Sequence, residues 1–325
     1  MIFSCRSSKI GLDYEYCGSR KTRNKQDKQE IKPMTITNNI HDTALIFEGG
    51  GMRASYTAGF LNTLLENEIY FDYVAGISAG SSHSVNYLSR DIERSKRSFV
   101  DLVLDPNFGG WSSFLKGEGY FRAQYIYEET PYPDASLPFD IDTFMANPAR
   151  LRIGTFDRDS GEIVYYSKDD IHDVKDLMKI VRSSSSMPIF MPPTYYNDHW
   201  YVDGGLGGGI ALDIAKKDGM KKFFVVLSRE KGYRKKPVRY KGVLKAYYRK
   251  YPAVAEALLN RHKVYNEILE ELEQLESEGR AYLVYPDTMP VSNREVNYYK
   301  LSESYRLGYE QGRRDLPKWR NFLSK

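Results

Sequence analysis

Three short patterns in the chain hold residue types that could together cleave an ester, and each lies where a β-rich run gives way to a turn or a helical pattern. The first is Gly76-Ile77-Ser78-Ala79-Gly80, a G-x-S-x-G elbow that presents a serine on a tight strand-to-helix turn whose small neighbours let the backbone double back. The pentapeptide alone carries little, since glycine and serine are common. Its context promotes Ser78 to candidate nucleophile: a β-branched and aromatic run ends at Ile77 and a helical pattern begins at Ala79. The bland alternative is a glycine-bracketed turn whose serine caps the helix.

The second pattern, Gly49-Gly50-Gly51-Met52-Arg53, also joins a strand to a helix. Successive glycines can turn several N–H groups into one concavity, and the helix behind adds the positive end of its dipole, so the loop suits an anion. In acyl transfer that anion is the tetrahedral oxyanion. Arg53 could steady the loop, meet a substrate phosphate, or simply be a surface charge. Gly49-x-Gly51-x-x-Ala54 also satisfies a relaxed dinucleotide fingerprint, but that fingerprint wants an acidic residue at the end of the next strand, where this chain has the serine elbow. The third pattern is Tyr201-Val202-Asp203-Gly204-Gly205, a strand ending in a carboxylate. Partial desolvation would raise such an aspartate toward the range of a useful base, although Asp-Gly-Gly by itself is a common turn.

The elements that must hold these residues alternate between β-rich runs and helical patterns from Thr43 onward, which signals an at least partly parallel sheet covered by helices. Strands are expected at 43–48, 71–77, 200–202, 223–228 and 281–286, and a hairpin over 151–167 turns at Asp159-Ser160-Gly161. Helices are expected at 54–67, 79–90, 173–183, 210–217, 253–278 and 298–314. The polar and aromatic stretch 105–148 reads as a cap over one end of the sheet.

Of 325 residues, 47 are Lys or Arg and 43 are Asp or Glu, and 41% are hydrophobic, the profile of an ordinary folded protein. The net charge of +4 arises within residues 1–36, which hold eight basic and four acidic side chains; the remainder carries thirty-nine of each. Both cysteines, Cys5 and Cys17, fall in that segment, so a thiol nucleophile or cysteine metal site in the body is excluded. With no apolar periodicity, residues 1–36 are expected to be a disordered tail, with Met34 as the natural start. The longest apolar runs, such as 223–227, are far short of the roughly 20 residues of a membrane-spanning helix. No HExxH or EF-hand pattern is present, and neither metal nor cofactor is expected.

The three patterns, in this order, resemble the patatin-like phospholipase family: a G-G-G-x-R oxyanion loop, a G-x-S-x-G elbow 25 to 30 residues later, and a D-G-[GA] bearing an aspartate. The resemblance spans about Thr43 to Ser228 and includes the serine-rich helix end Ser183 to Pro188, while the C-terminal region resembles the helical extension of bacterial members. Ala54 departs from the glycine that often follows the arginine. The resemblance implies a three-layer α/β/α hydrolase with a mainly parallel sheet, a catalytic domain over 43–228 and a helical extension over 229–325. It also implies a lipid acyl-ester hydrolase with a Ser78–Asp203 dyad, an oxyanion hole formed by Gly49, Gly50, Gly51 and Arg53, and an elbow framed by Gly76 and Gly80.

Two other readings remain open at this point. One is a histidine-assisted serine esterase or peptidase, for which His83, His199 and His262 are the candidates; the other is a non-catalytic nucleotide or phosphate binder. Location is expected to be cytoplasmic, with peripheral membrane contact through the basic and aromatic stretch 234–250, and no nucleic-acid partner is expected.

Overall fold

Two β-α units in tandem open the body: β1 (Ile40–Phe47), α1 (Ala54–Glu66), β2 (Phe71–Ile77) and α2 (Ala79–Leu88). The computed structural model describes residues 36–325, so the expected tail, apart from Ile36, and the start at Met34 lie outside the described residues. Short helices α3 (Ile92–Lys96), α4 (Trp111–Leu115) and α5 (Ile141–Ala146), with irregular turns, fill the interval before β3 (Arg150–Asp157). The chain continues through β4 (Ile163–Tyr166), α6 (Val174–Ser185), β5 (Thr194–Tyr196), β6 (His199–Val202), α7 (Leu212–Lys217) and β7 (Lys222–Val226). It closes with α8 (Lys241–Tyr247), α9 (Pro252–Ser277), β8 (Ala281–Val284) and α10 (Tyr298–Leu323).

The eight strands form one sheet in the order β5-β6-β3-β2-β1-β7-β8, with β4 also paired to β3. The run from β3 through β8 is parallel, whereas β4, β5 and β6 add an antiparallel edge. Strands covered on both faces read as unbroken apolar runs because successive side chains enter opposite layers. In β1, Leu45 and Phe47 pack with Phe60, Leu64, Val85 and Leu177 from α1, α2 and α6. Ala44 and Ile46 face the other way, onto Leu212 from α7 and Leu269 and Leu272 from α9. This is a three-layer α/β/α fold, and no helix among the described residues is long and apolar enough to cross a membrane.

Two of the differences from expectation have a clear physical reason. β5 is three residues long, too short to show a periodicity, and exists because it pairs antiparallel with β6. α10 does not stop at 314 but continues through Pro317 to Leu323. Its last turns hold Trp319, edge-on to Phe60 and Phe224, and Phe322, packed on Tyr282. That burial outweighs the hydrogen bond a proline removes. The expected cap over 105–148 is a layer of short turns whose Phe108, Tyr120, Phe121 and Leu137 join Phe99 and Met52 in an apolar cluster beside Ala79.

Candidate active site

β2, near the middle of the sheet, delivers Ser78 at its carboxyl end with φ 57° and ψ −129°, a conformation that costs a non-glycine residue energy and persists only where its surroundings enforce it. The enforcing contacts are close. A Cβ on Gly80 would strike the carbonyl oxygen of Phe47, and one on Gly76 would strike the carbonyl of Gly80. The Ser78 N–H donates to Ser184 Oγ at 2.8 Å, and that hydroxyl donates on to the Gly154 carbonyl at 2.6 Å, so the serine-rich end of α6 ties the elbow to β3. The next N–H, that of Ala79, opens α2 without a partner among the described residues.

Asp203 follows β6. One carboxylate oxygen accepts the Ser78 hydroxyl at 2.7 Å, the other accepts the Gly205 N–H at 2.7 Å, and the Asp203 N–H donates to the Ser186 carbonyl at 2.8 Å. Burial raises the Asp203 pKa above the ordinary carboxylate value, while Arg261, the Ser78 hydroxyl, the Gly205 N–H and Lys235 pull it back. A carboxylate held this way is poised to take the hydroxyl proton.

In the glycine loop the N–H groups divide their work. Gly49 donates to the Gly209 carbonyl at 3.0 Å and Met52 donates to the Asn293 carbonyl at 3.1 Å, whereas Gly50 and Gly51 have no partner among the described residues. Gly51 needs to be glycine: its φ is +55° and a Cβ there would meet the Asn293 carbonyl. Gly49 therefore serves by closeness, since a Cβ on it would lie 2.9 Å from the Ile77 carbonyl oxygen and 3.0 Å from Ser78 Cβ. Arg53 is buried, and its Nε donates to the Ser228 carbonyl at 3.1 Å. Burial, then repulsion from Arg229, lowers it to about 10, so it stays cationic at neutral pH.

Residues 45–216, a stretch that includes the loop, the elbow and Asp203, match the family described as Patatin-like phospholipase. The chain belongs to the patatin-like phospholipase family. Residues 251–324 match a second description, Domain of unknown function (DUF6363). Among curated relatives, an uncharacterized protein of Escherichia coli K12, YjjU, is 24% identical over 194 residues, 56% of this chain and 51% of its own. Probable lipid hydrolase 463L of Invertebrate iridescent virus 6 is 25% identical over 189 residues, 55% of this chain and 64% of its own. The chain thus matches about half to two thirds of the length of these relatives. Of solved structures, VipD from Legionella pneumophila is similar with a TM-score of 0.45 and 13% identity, covering 87% of this chain and 67% of that one.

In this patatin-like phospholipase fold none of the candidate histidines meets Ser78 or Asp203. His83 is buried with its Nε2 2.8 Å from Thr57 Oγ1 and its ring against Phe47 and Phe99, and burial lowers its pKa to about 3. His199 pairs with Asp157 at 2.7 Å, and His262 Nδ1 lies 3.0 Å from the Leu259 carbonyl on its own helix.

Ser78 sits between two cavities. One, of about 50 Å³, is apolar and lined by Met52, Ala79, Phe99, Phe108, Phe121 and Ile126 among others. The other, of about 220 Å³, brings Gly50, Gly51, Asp203, Arg53, Lys235 and Arg261 together around the same serine. Lys235 was legible only as part of a basic surface stretch, and Arg261 carried no signal at all: its Nε donates to the Gly205 carbonyl at 2.6 Å from a helix 56 residues away in the chain. α8 buries no residue, and Tyr240, Val243 and Tyr247 around it are 74%, 70% and 66% exposed, whereas Leu244 lines the chamber and Tyr248 packs on the cluster of Phe156, Val202, Leu206 and Val254, so only part of the apolar side of the stretch 234–250 faces outward.

Proposed function

We propose that this chain is a serine hydrolase of lipid acyl esters that works through Ser78 and Asp203 without a histidine. The observation that carries this reading is the 2.7 Å hydrogen bond from the Ser78 hydroxyl to a buried Asp203, beside two N–H groups of the glycine loop that have no partner among the described residues. Asp203 takes the hydroxyl proton as Oγ bonds to the ester carbonyl carbon, and Gly50 and Gly51 receive the oxyanion, with the Ala79 N–H close behind the serine. The tetrahedral species collapses by breaking the bond to the alkoxy oxygen, which leaves with the proton from Asp203. Water then gives a proton to Asp203 and attacks the acyl carbon; Oγ departs and recovers that proton, releasing a carboxylic acid.

The apolar cleft beside Ser78 suits the start of an acyl chain. The exposed Tyr240, Val243 and Tyr247, set among Lys236, Arg239, Lys241 and Lys245, suit contact with a lipid surface. A fluorophosphonate probe tests the chemistry. Labelling is expected to vanish in Ser78→Ala, to fall strongly in Asp203→Asn, and to persist when His83, His199 or His262 becomes alanine. Labelling of folded Ser78→Ala overturns the proposal, and loss through one histidine change moves the mechanism to a triad.

A further inference from the structure

The chamber on the polar side of Ser78 is short of negative charge. Arg53, Lys235 and Arg261 all line it, and among the described residues none of them has a carboxylate within ion-pair distance. Arg234, next to Lys235 in the chain, is by contrast paired with Glu273 at 2.6 Å, and Arg229, which repels Arg53 and Lys235, does not line the chamber and lies over the Tyr233 ring, 4.5 Å from its centre. The two acidic side chains of the chamber are already committed. Glu48 accepts the Ser228 N–H at 2.6 Å and the Tyr265 hydroxyl at 2.9 Å, and Asp203 accepts Ser78 and Gly205.

The cations are also held in place. Arg53 and Arg261 each spend Nε on a carbonyl, those of Ser228 and Gly205, which fixes the guanidinium plane and leaves the terminal N–H groups without partners among the described residues. Asn266 clamps the Lys235 backbone from both sides, at 2.8 Å and 3.1 Å, and places the ammonium over the Tyr265 ring, 4.2 Å from its centre. Three ordered cations, none of them ion-paired among the described residues, around a half-enclosed space form a receptor for an anion with several oxygens.

We propose that Arg53, Lys235 and Arg261 bind the phosphodiester of a glycerophospholipid whose acyl ester lies at Ser78. The assignment rests on the hydrolase reading above and extends it, because two of the three cations come from outside residues 45–216, and Arg261 belongs to the stretch of unknown function, 251–324. That stretch thereby takes a part in substrate choice. Burial, and then repulsion from Arg261, Arg53 and Arg229, against the pull of Glu48, lowers Lys235 to about 7, so an arriving phosphate restores its full charge near neutrality.

The test compares kcat/KM for soluble dihexanoyl phosphatidylglycerol with that for dihexanoylglycerol, which has the same acyl chains and no phosphate. Lys235→Met and Arg261→Gln are expected to lower the ratio of the two by roughly tenfold or more each, and Lys235→Arg to restore most of it, as befits a charge-assisted contact. Glycerol 3-phosphate should compete with dihexanoylglycerol in the wild type and far less in Lys235→Met. A ratio within twofold of wild type in both variants, or Lys235→Arg no better than Lys235→Met, overturns the proposal. Competition by glycerol 3-phosphate with an unchanged ratio also overturns it, since the chamber would then hold free phosphate and not the headgroup. If the wild type cleaves neither ester, the hydrolase reading has failed. The subsite is then judged by calorimetric titration of glycerol 3-phosphate into Ser78→Ala with and without Lys235→Met, and absence of binding that depends on Lys235 rejects it.

Discussion

Asp203→Asn separates chemistry from folding more cleanly than any other single change. The asparagine keeps the size of the side chain, and its carbonyl oxygen can still accept the Gly205 N–H at 2.7 Å, so the turn after β6 survives. What changes is the atom 2.7 Å from the Ser78 hydroxyl: an NH₂ group replaces an accepting oxygen and cannot take a proton. A positioned general base contributes roughly 10²–10⁴ in rate, which at about 1.4 kcal/mol per tenfold is about 3–5 kcal/mol of barrier. The expected loss in kcat on p-nitrophenyl butyrate is therefore on the order of a thousandfold.

Stability should move the other way. The folded carboxyl sits above its ordinary value of 3.8 because of burial. Its stabilising contribution is then fully present below the unfolded value and is lost as pH rises through the raised one. At pH 8 the buried charge is a cost that asparagine removes. Thermal denaturation should show Asp203→Asn melting no lower than wild type. A variant that melts normally and keeps more than a tenth of the activity refutes the role of Asp203, and one that is inactive only because it melts early refutes the argument on burial.

Further outcomes follow from the same geometry. The acidic limb of the kcat/KM profile should lie above the ordinary carboxylate value of 3.8, since Asp203 must be ionised to act and burial raises it; a limb at or below 3.8 contradicts this. His83→Ala should retain fluorophosphonate labelling while losing about 1–3 kcal/mol of stability in denaturant titration, because the ring fills space between Phe47 and Phe99. Gly80→Ala pushes a Cβ into the backbone of Phe47, with no side chain able to yield, and should abolish labelling or soluble folding; wild-type labelling and melting would be inconsistent with so close an elbow. Trp319→Ala should cost about 3–5 kcal/mol and lower the melting temperature, a loss that a frayed helix end past Pro317 would not give.

The parts of the fold and candidate site that were legible are those whose meaning is local. A serine between Gly76 and Gly80, three glycines before Arg53 and an aspartate at a strand end each announce a backbone shape through their own neighbours, and the structure brings all of them around one point. Gly49 shows the limit: its pattern suggested a donor, but only the approach of Gly209 reveals that its N–H is occupied. Arg261 and Lys235 were illegible as site residues because nothing in a charged helix or a basic run says which cation will turn toward a chamber built by residues 30 to 200 positions earlier. The end of α10, expected at 314 and found at Leu323, was illegible for a different reason. The rule that proline ends helices is a statement about one hydrogen bond, and Trp319 and Phe322 bind the helix to the sheet with far more area than that bond is worth.

The position of β1 in the sheet has a consequence for how the chain is made. β1 is the first strand among the described residues, yet it lies between β2 and β7, and β7 begins only at Lys222. At 5–20 residues per second, the roughly 175 residues between them take about ten to thirty-five seconds to emerge, during which β1 keeps one edge open along its apolar run Ala44 to Phe47. A ribosome-bound chain truncated near residue 216 should hold such an edge in place and recruit chaperones or aggregate, while the same chain extended past Val284, with β7 and β8 both docked, should not.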